Sequence, residues 1–431
     1  MLNKYDFNDS IPYSFKYSSR DSHILDIVSN IWDNMEMDKT KKVSLKKECL
    51  LATLINLRIG WLTCNYVRYS RTKEHYAKYP YRYKQEYYTY KIMCNIISGL
   101  ESLGLVDQSV GFKNPTDGFA TLTKMKATGK LVSLLQTVTN TMIVDIPPPE
   151  LVVLKERGSG GIKINYKETD KTKQVRSDLI KYNTLRQTGK LALTSIGDIE
   201  LKPKHKEFLS RFALSDDCSR EIPLSNPYIY RVFSGGFDKG GRYYNGIESN
   251  MPKDFRTRLM INGVQTVEKD FSCLHINFIY NQRGLRLTTD AYSKLSNGDP
   301  QLRSIYKLVG LISINAGSLK SAFKALRMEL VKTKLNVVLP DLTDVTLTKL
   351  FENWCKAHKK ISDAFFTDAG IRLQYLDSLI AEKVIKHFTD KGVIVLVVHD
   401  SFIIQDKYES ELVDVMCKEY KKLFKFNIKI N

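Results

Sequence analysis

The sequence predicts a mixed α+β fold, in which a mainly helical N-terminal region leads into a C-terminal part built on an antiparallel sheet. Three patterns predict it. The run Val393-Ile394-Val395-Leu396-Val397-Val398 and the run Phe402-Ile403-Ile404 flank a tight His399-Asp400-Ser401 break, which reads as a buried β-hairpin presenting one carboxylate. Upstream, Thr266-Val267-Glu268-Lys269-Asp270 reads as a strand that ends in a carboxylate and passes into a helical run carrying Leu274, Phe278 and Ile279. Near the start of the chain, apolar residues recur at helical spacing, first at Ile24, Ile27, Val28 and Ile31 and again from Leu45 through Leu62.

Between Tyr66 and Tyr90 tyrosines alternate with Arg68, Arg71, Lys73, Lys78, Arg82 and Lys84. Interleaved cations and rings suit a nucleic-acid strand, because charges meet phosphates and rings stack on bases. The alternative is a solvated helix face whose tyrosines pack inward. A helix ending at Leu103-Gly104, a short strand at Leu105-Val106, a turn-rich loop with Pro115 and Gly118, and the run Phe119 to Thr123 resemble a winged helix-turn-helix module. Such modules commonly place a helix in a DNA groove, although many pack only against protein. Pro147-Pro148-Pro149 and Gly158-Ser159-Gly160-Gly161 flank the strand-like Leu151 to Leu154 and mark a boundary or surface loop. Residues 170–215 return to a basic helical pattern.

A chain of 431 residues with 43% hydrophobic content folds into two or three domains. Its formal net charge of +19 points to a polyanionic partner, nucleic acid before an anionic membrane surface. No apolar run approaches the ~20 residues that span a bilayer, and Met1 to Tyr17 does not read as a signal peptide, so no membrane partner is expected. The seven cysteines are scattered singly, without a CxxC pair or zinc spacing. They read as reduced thiols of a cytoplasmic protein, and any metal is expected to be held by oxygen.

Asp270 and Asp400 therefore become the candidate metal ligands. Carboxylates suit Mg²⁺, which is held by one or two of them together with substrate phosphates. Two such ions, about 3.5–4 Å apart, clamp an in-line phosphoryl displacement. A plain Asx turn at Asp400, or an ion-pair network without metal, would also account for these residues. In Phe237-Asp238-Lys239-Gly240-Gly241-Arg242-Tyr243-Tyr244, glycines would let the backbone approach a phosphate chain that Arg242 grips, unless the loop is merely structural. Arg303 to Leu330 reads as one long helix, with Arg303, Lys307 and Asn315 on roughly one face. Half-buried cations one turn apart suit a triphosphate. Residues 331–370 read as a variable insertion. The helix Gln374 to Phe388 follows, with Leu376, Leu379, Ile380, Val384 and Phe388 as its core stripe and Asp377 near its N-terminus, where it would favour the helix dipole.

Together four motifs resemble the right-hand polymerases that include family A DNA polymerases and phage-type single-subunit RNA polymerases. Asp270-Phe271-Ser272 resembles their motif A and His399-Asp400-Ser401 their motif C as the RNA polymerases write it. Arg303-x3-Lys307-x7-Asn315-Ala316 has the spacing of the fingers helix, motif B. Asp238-x2-Gly241-Arg242-x-Tyr244 is similar to an element that those RNA polymerases use on the template–product hybrid. The resemblance covers residues 228–431 and implies an antiparallel palm with helical fingers. It makes Asp270, Asp400 and the Phe271 carbonyl ligands of Mg²⁺. Arg303 and Lys307 would hold the nucleoside triphosphate, with Lys307 also protonating the leaving pyrophosphate. His399 would lie near the primer 3′ end, Arg242, Asp238 and Tyr244 on nucleic acid, and Gln374 near the template–primer duplex.

Two departures bear on the substrate. Asn315-Ala316 stands where motif B has Tyr-Gly, removing the aromatic that stacks on a base. His275 stands where DNA polymerases carry a Glu that blocks the ribose 2′-hydroxyl, so it is either a gate for that group or a core histidine. The expected activity is template-directed nucleotidyl transfer on DNA, with DNA synthesis slightly ahead of an RNA polymerase or primase. A non-catalytic replication initiator and a metal-dependent nuclease are the rival classes. The expected division is a basic, mainly helical region over 1–150, a linker and thumb-like helical region over 151–227, and palm and fingers over 228–431.

Overall fold

The computed structural model describes residues 10–112, 121–158, 161–211 and 221–431. The loop with Pro115, Gly118 and Phe119, the Ser159-Gly160 step and Cys218 lie outside the described residues. The fold is mixed α+β with antiparallel sheets, as the hydrophobic periodicities required. It separates into two units. The first comprises 1–153, 162–230 and 245–266, and the second 154–161, 231–244 and 267–431. Residues 151–227 thus fall mostly within the first unit.

The first unit is organised around the helix Val43–Leu62, which buries Leu50, Leu54, Ile55 and Leu57 completely. The helix Ser22–Asn34 packs against it and begins where Asp21 accepts a hydrogen bond from the His23 amide at 3.0 Å. Next come the strand Tyr66–Tyr69, the helix Lys73–Lys78, the helix Tyr90–Ser102 and the strands Val106–Ser109 and Thr123–Ala127. Thr123–Ala127 is central and runs antiparallel to both of its neighbours, Tyr66–Tyr69 and Val106–Ser109. Ser10–Pro12 adds in parallel to the outer side of Tyr66–Tyr69.

The tyrosine-rich segment turns out differently from the nucleic-acid expectation. Tyr69, Tyr76, Tyr83, Tyr87 and Tyr88 are buried, and the Tyr88 ring lies 5.1 Å from Tyr76, 5.8 Å from Tyr79 and 5.2 Å from Phe15. Large rings dominate core energetics, so these are committed to packing and are withdrawn from base stacking. Tyr81, 71% exposed, stays outside.

Further along, the basic pattern of 170–215 resolves into the helix Asp170–Gln187, the strand Leu191–Leu193 and the helix Pro203–Arg211. Leu191–Leu193 pairs antiparallel with Ile222–Leu224 on one side and Leu259–Ile261 on the other. Leu259–Ile261 then hairpins into Val264 through Asn262-Gly263. Both loop residues have positive φ (53° and 73°), as a two-residue hairpin with the right twist demands.

In the second unit the strands Tyr230–Ser234 and Gly240–Tyr244 lie beside one another, and the helix Gly370–Asp390 packs on Gly240–Tyr244. Gly241 makes that approach possible. Its φ is +82°, and a Cβ there would come within 2.8 Å of both Phe233 Cε1 and Ser378 Oγ. Its glycine character therefore serves strand-on-helix packing, which corrects the phosphate-approach reading. Gly241→Ala adds left-handed backbone strain to overpacking and is expected to cost about 2–4 kcal/mol. A urea melt of the variant checks this, and an unchanged midpoint would refute it.

Arg303 to Leu330 is two helices, Pro300–Asn315 and Leu319–Lys332. They are broken at Ala316-Gly317-Ser318, where Ser318 caps the second by accepting from the Ser321 amide at 3.2 Å. The supposed insertion contains the helix Asp344–Ala357, whose Leu347, Phe351 and Trp354 belong to the core. Trp354 lies flat against Gly310, where a Cβ would sit 2.8 Å from its ring. The helix Leu274–Gln282 meets the helix Glu409–Phe424 through the stacked rings of Phe278 and Phe424, 4.6 Å apart.

Candidate active site

Val395–Val398 is buried at every position and pairs antiparallel with Ser401–Gln405, Val398 facing Ser401. The hairpin loop is therefore His399-Asp400 alone. His399 takes a left-handed φ of 58°, which turns the chain in two residues and leaves Asp400 half-buried at the tip. The neighbouring strand in the sheet is Val264–Asp270. Ser401 Oγ donates to Glu268 Oε1 at 2.7 Å, tying the hairpin to that strand. Asp400 precedes Ser401 by one residue, and Asp270 follows Glu268 by two, on the same face of its strand. The two aspartates singled out in the sequence are thus carried on adjacent strands next to one shared hydrogen bond.

Beyond Asp270 the backbone turns sharply. Asn431 N donates to Asp270 O at 2.9 Å and Ser272 N to Lys429 O at 2.9 Å, a bridge that does not use the Phe271 carbonyl. The Phe271 ring is buried 6.0 Å from Tyr420. Cys273 (φ 51°) then starts the helix bearing His275.

A second cluster forms around Asp377, which is 2% exposed. Arg242 Nε donates to its carboxylate at 3.0 Å, and Arg242 Nη2 also bonds its Oδ2. His275 Nε2 donates to the same Oδ2 at 2.9 Å. Burial opposes the charge on Arg242, but the hydrogen bond and charge of Asp377 outweigh it, with Asp400 adding, and hold the guanidinium pKa above its ordinary value. The charge of Asp400 therefore reaches Arg242, which draws the hairpin tip, Arg242, His275 and Asp377 into one electrostatic neighbourhood. Beside it, the buried Arg231 donates to Gly241 O and to Glu382 Oε2, both at 2.7 Å, and to Ser378 Oγ at 3.2 Å.

These contacts revise several expected roles. Asp377 is no dipole partner at a helix start. It lies two turns inside Gly370–Asp390 and neutralises a half-buried guanidinium. Arg242, expected on a nucleic-acid backbone, has its Nε and Nη2 on Asp377, and His275 has its Nε2 there too. Arg303 pairs with Asp290 at 2.6 Å and lies 5.3 Å from the Tyr292 ring centre. Such a half-exposed pair is worth only about 0–1 kcal/mol, so a polyphosphate would displace it readily. Lys307, one turn on, is exposed and has no hydrogen bond or ion pair among the described residues. Asn315 ends its helix, exposed, with Nδ2 donating to Leu311 O at 2.7 Å. Asp238 and Tyr244 are exposed at the turn and at the end of the Gly240–Tyr244 strand, His399 is exposed at the hairpin tip, and Gln374 is half-buried in the first turns of its helix. Glu268 and Arg231 were missed in the sequence. The available signal was a charged residue inside a strand or an apolar stripe, which demands a partner.

Among the described residues no group of three or more His, Cys, Asp or Glu side chains gathers to enclose a metal. A Mg²⁺ site completed by substrate phosphates would need only one or two carboxylates. No family model matches the chain, and no curated protein matches it.

Proposed function

We propose that the chain is a template-directed nucleic-acid polymerase of the right-hand kind, adding nucleotides to a 3′-hydroxyl, with DNA synthesis slightly favoured. The observation that carries the reading is the Ser401–Glu268 hydrogen bond, because it sets the Asp400 hairpin against the strand that ends in Asp270. Magnesium bound by Asp270 and Asp400, with the Phe271 carbonyl and substrate phosphates, would supply activation of the attacking hydroxyl and neutralise the leaving pyrophosphate. Lys307, exposed and without a hydrogen bond or ion pair among the described residues, binds the triphosphate and passes a proton to the pyrophosphate as it leaves. Arg303 exchanges Asp290 for the same phosphates. Asp377 fixes Arg242 and His275 in place, so His275 presents a held ring edge where a 2′-hydroxyl would lie.

In the first unit, the helix Val43–Leu62, the strand and two helices that follow it, and the strand pair up to Ala127 have the element order of a winged helix. That order, with the +19 charge, supports a duplex DNA partner. Primer extension with dNTPs and then rNTPs, on DNA and RNA templates, tests the proposal. Extension is expected on DNA with dNTPs preferred. Shortening of the strand would favour a nuclease, and binding without either reaction a replication initiator.

A further inference from the structure

The first unit holds a cavity of about 660 Å³ that plays no part in the polymerase reading. Its size is that of a small-molecule site, and its lining combines three chemistries. Phe15, Tyr79, Tyr228 and Tyr230 supply aromatic surface, Lys16 and Lys163 supply cations, and Asp145 and Glu150 supply carboxylates, Glu150 being already paired with Arg82 and Arg176.

Asp145 is the informative member. Asp145 is positioned by its backbone, in the short strand pair that sets it opposite Tyr17. Its side chain is 14% exposed, and its Oδ1 is buried without a hydrogen-bond donor among the described residues. Lys16 Nζ stands 3.9 Å from that oxygen, close enough to offset charge but too far for a hydrogen bond. Burial raises the Asp145 pKa against the opposing pull of Lys16, as expected of an acid short of donors. At the aromatic wall, Lys163 Nζ lies 5.6 Å from the centre of the Tyr79 ring and donates to the Tyr79 hydroxyl at 3.2 Å.

A ligand that satisfies all three chemistries is planar, carries adjacent N–H donors and bears a negative charge. We propose that this cavity binds a guanine nucleotide, with the N1–H and N2–H edge on Asp145, the base among the tyrosines and the phosphate on the lysines. Adenine fits less well, since its single amino donor is flanked by a ring nitrogen that the carboxylate repels. The nucleotide is either free or a splayed-out position of a single strand, where aromatic stacking and hydrogen bonds to the base edge are the usual mode of recognition.

Tyrosine-fluorescence titration of the full chain with GMP, AMP and short single strands of dG or dA tests the proposal. GMP or the dG strand is expected to bind saturably and at least about tenfold more tightly than its adenine counterpart, the scale of one hydrogen bond to a charged group. GMP binding identifies a free nucleotide, and binding of the strand alone identifies a strand. Asp145→Asn is expected to erase the preference while melting at the parent temperature. Lys163→Met is expected to weaken GMP but not guanosine. The affinity of Asp400→Asn is expected to match the parent, which separates this cavity from the proposed polymerase site. Equal guanine and adenine binding, no binding of either form, a preference that survives Asp145→Asn, or loss in Asp400→Asn would each overturn the assignment.

Discussion

Asp400→Asn is expected to lower nucleotide incorporation at least about 10³-fold, about 4 kcal/mol of barrier, while the chain melts within about 2 °C of the parent. The change removes a charge but keeps the volume and the turn-forming side chain of a residue that sits half-buried in a two-residue loop. The flanking strands are held by buried valines and isoleucines, none of which depends on that charge. Single-turnover primer extension beside a thermal melt checks both halves of the expectation. Activity within tenfold of the parent would remove Asp400 from the chemistry. A drop in stability that matched the drop in activity would make its role structural.

The largest effect on stability is expected at Glu248. Arg186 and Glu248 form a two-pronged pair inside the first unit, at 3.1 and 2.7 Å, and neither side chain has any solvent exposure. Burial works against the Arg186 charge, but Glu248 outweighs it and raises the guanidinium pKa. Such a pair gives little net stability against an apolar replacement, but losing one partner strands the other. Glu248→Ala leaves a guanidinium in the core beside Tyr182 with no counter-charge and is expected to cost about 3–5 kcal/mol. For a unit of this size that is a fall of roughly 10 °C. The double replacement Arg186→Met with Glu248→Leu should recover most of the loss, because both desolvation costs disappear together. A single variant within 0.5 kcal/mol of the parent on a denaturant curve would show that water reaches the site (about the noise of surface substitutions).

The hairpin around His399-Asp400 was legible because two apolar runs with a polar break between them have few other solutions. The strand to Asp270 and the helices over Ser22–Asn34 and Val43–Leu62 were legible for the same reason, since each carries its own periodicity. The break between Asn315 and Leu319 was missed although Gly317-Ser318 signals it, because the apolar spacing runs on across the gap. The helix Asp344–Ala357 was read as an insertion even though Trp354 is wholly buried, since burial of one ring depends on where Gly310 lies.

By itself the sequence determined most of the elements, the net charge of +19 and the presence of two carboxylates beside strand ends, all of which follow from local pattern and composition. Only the tertiary structure decided partners. It assigned Arg242 and His275 to Asp377, Ser401 to Glu268, Arg186 to Glu248 and Tyr69, Tyr76, Tyr83, Tyr87 and Tyr88 to a core. A buried charge must be met by another charge or a donor. Which residue meets it depends on chain segments scores of positions apart, a distance over which sequence periodicity carries no information.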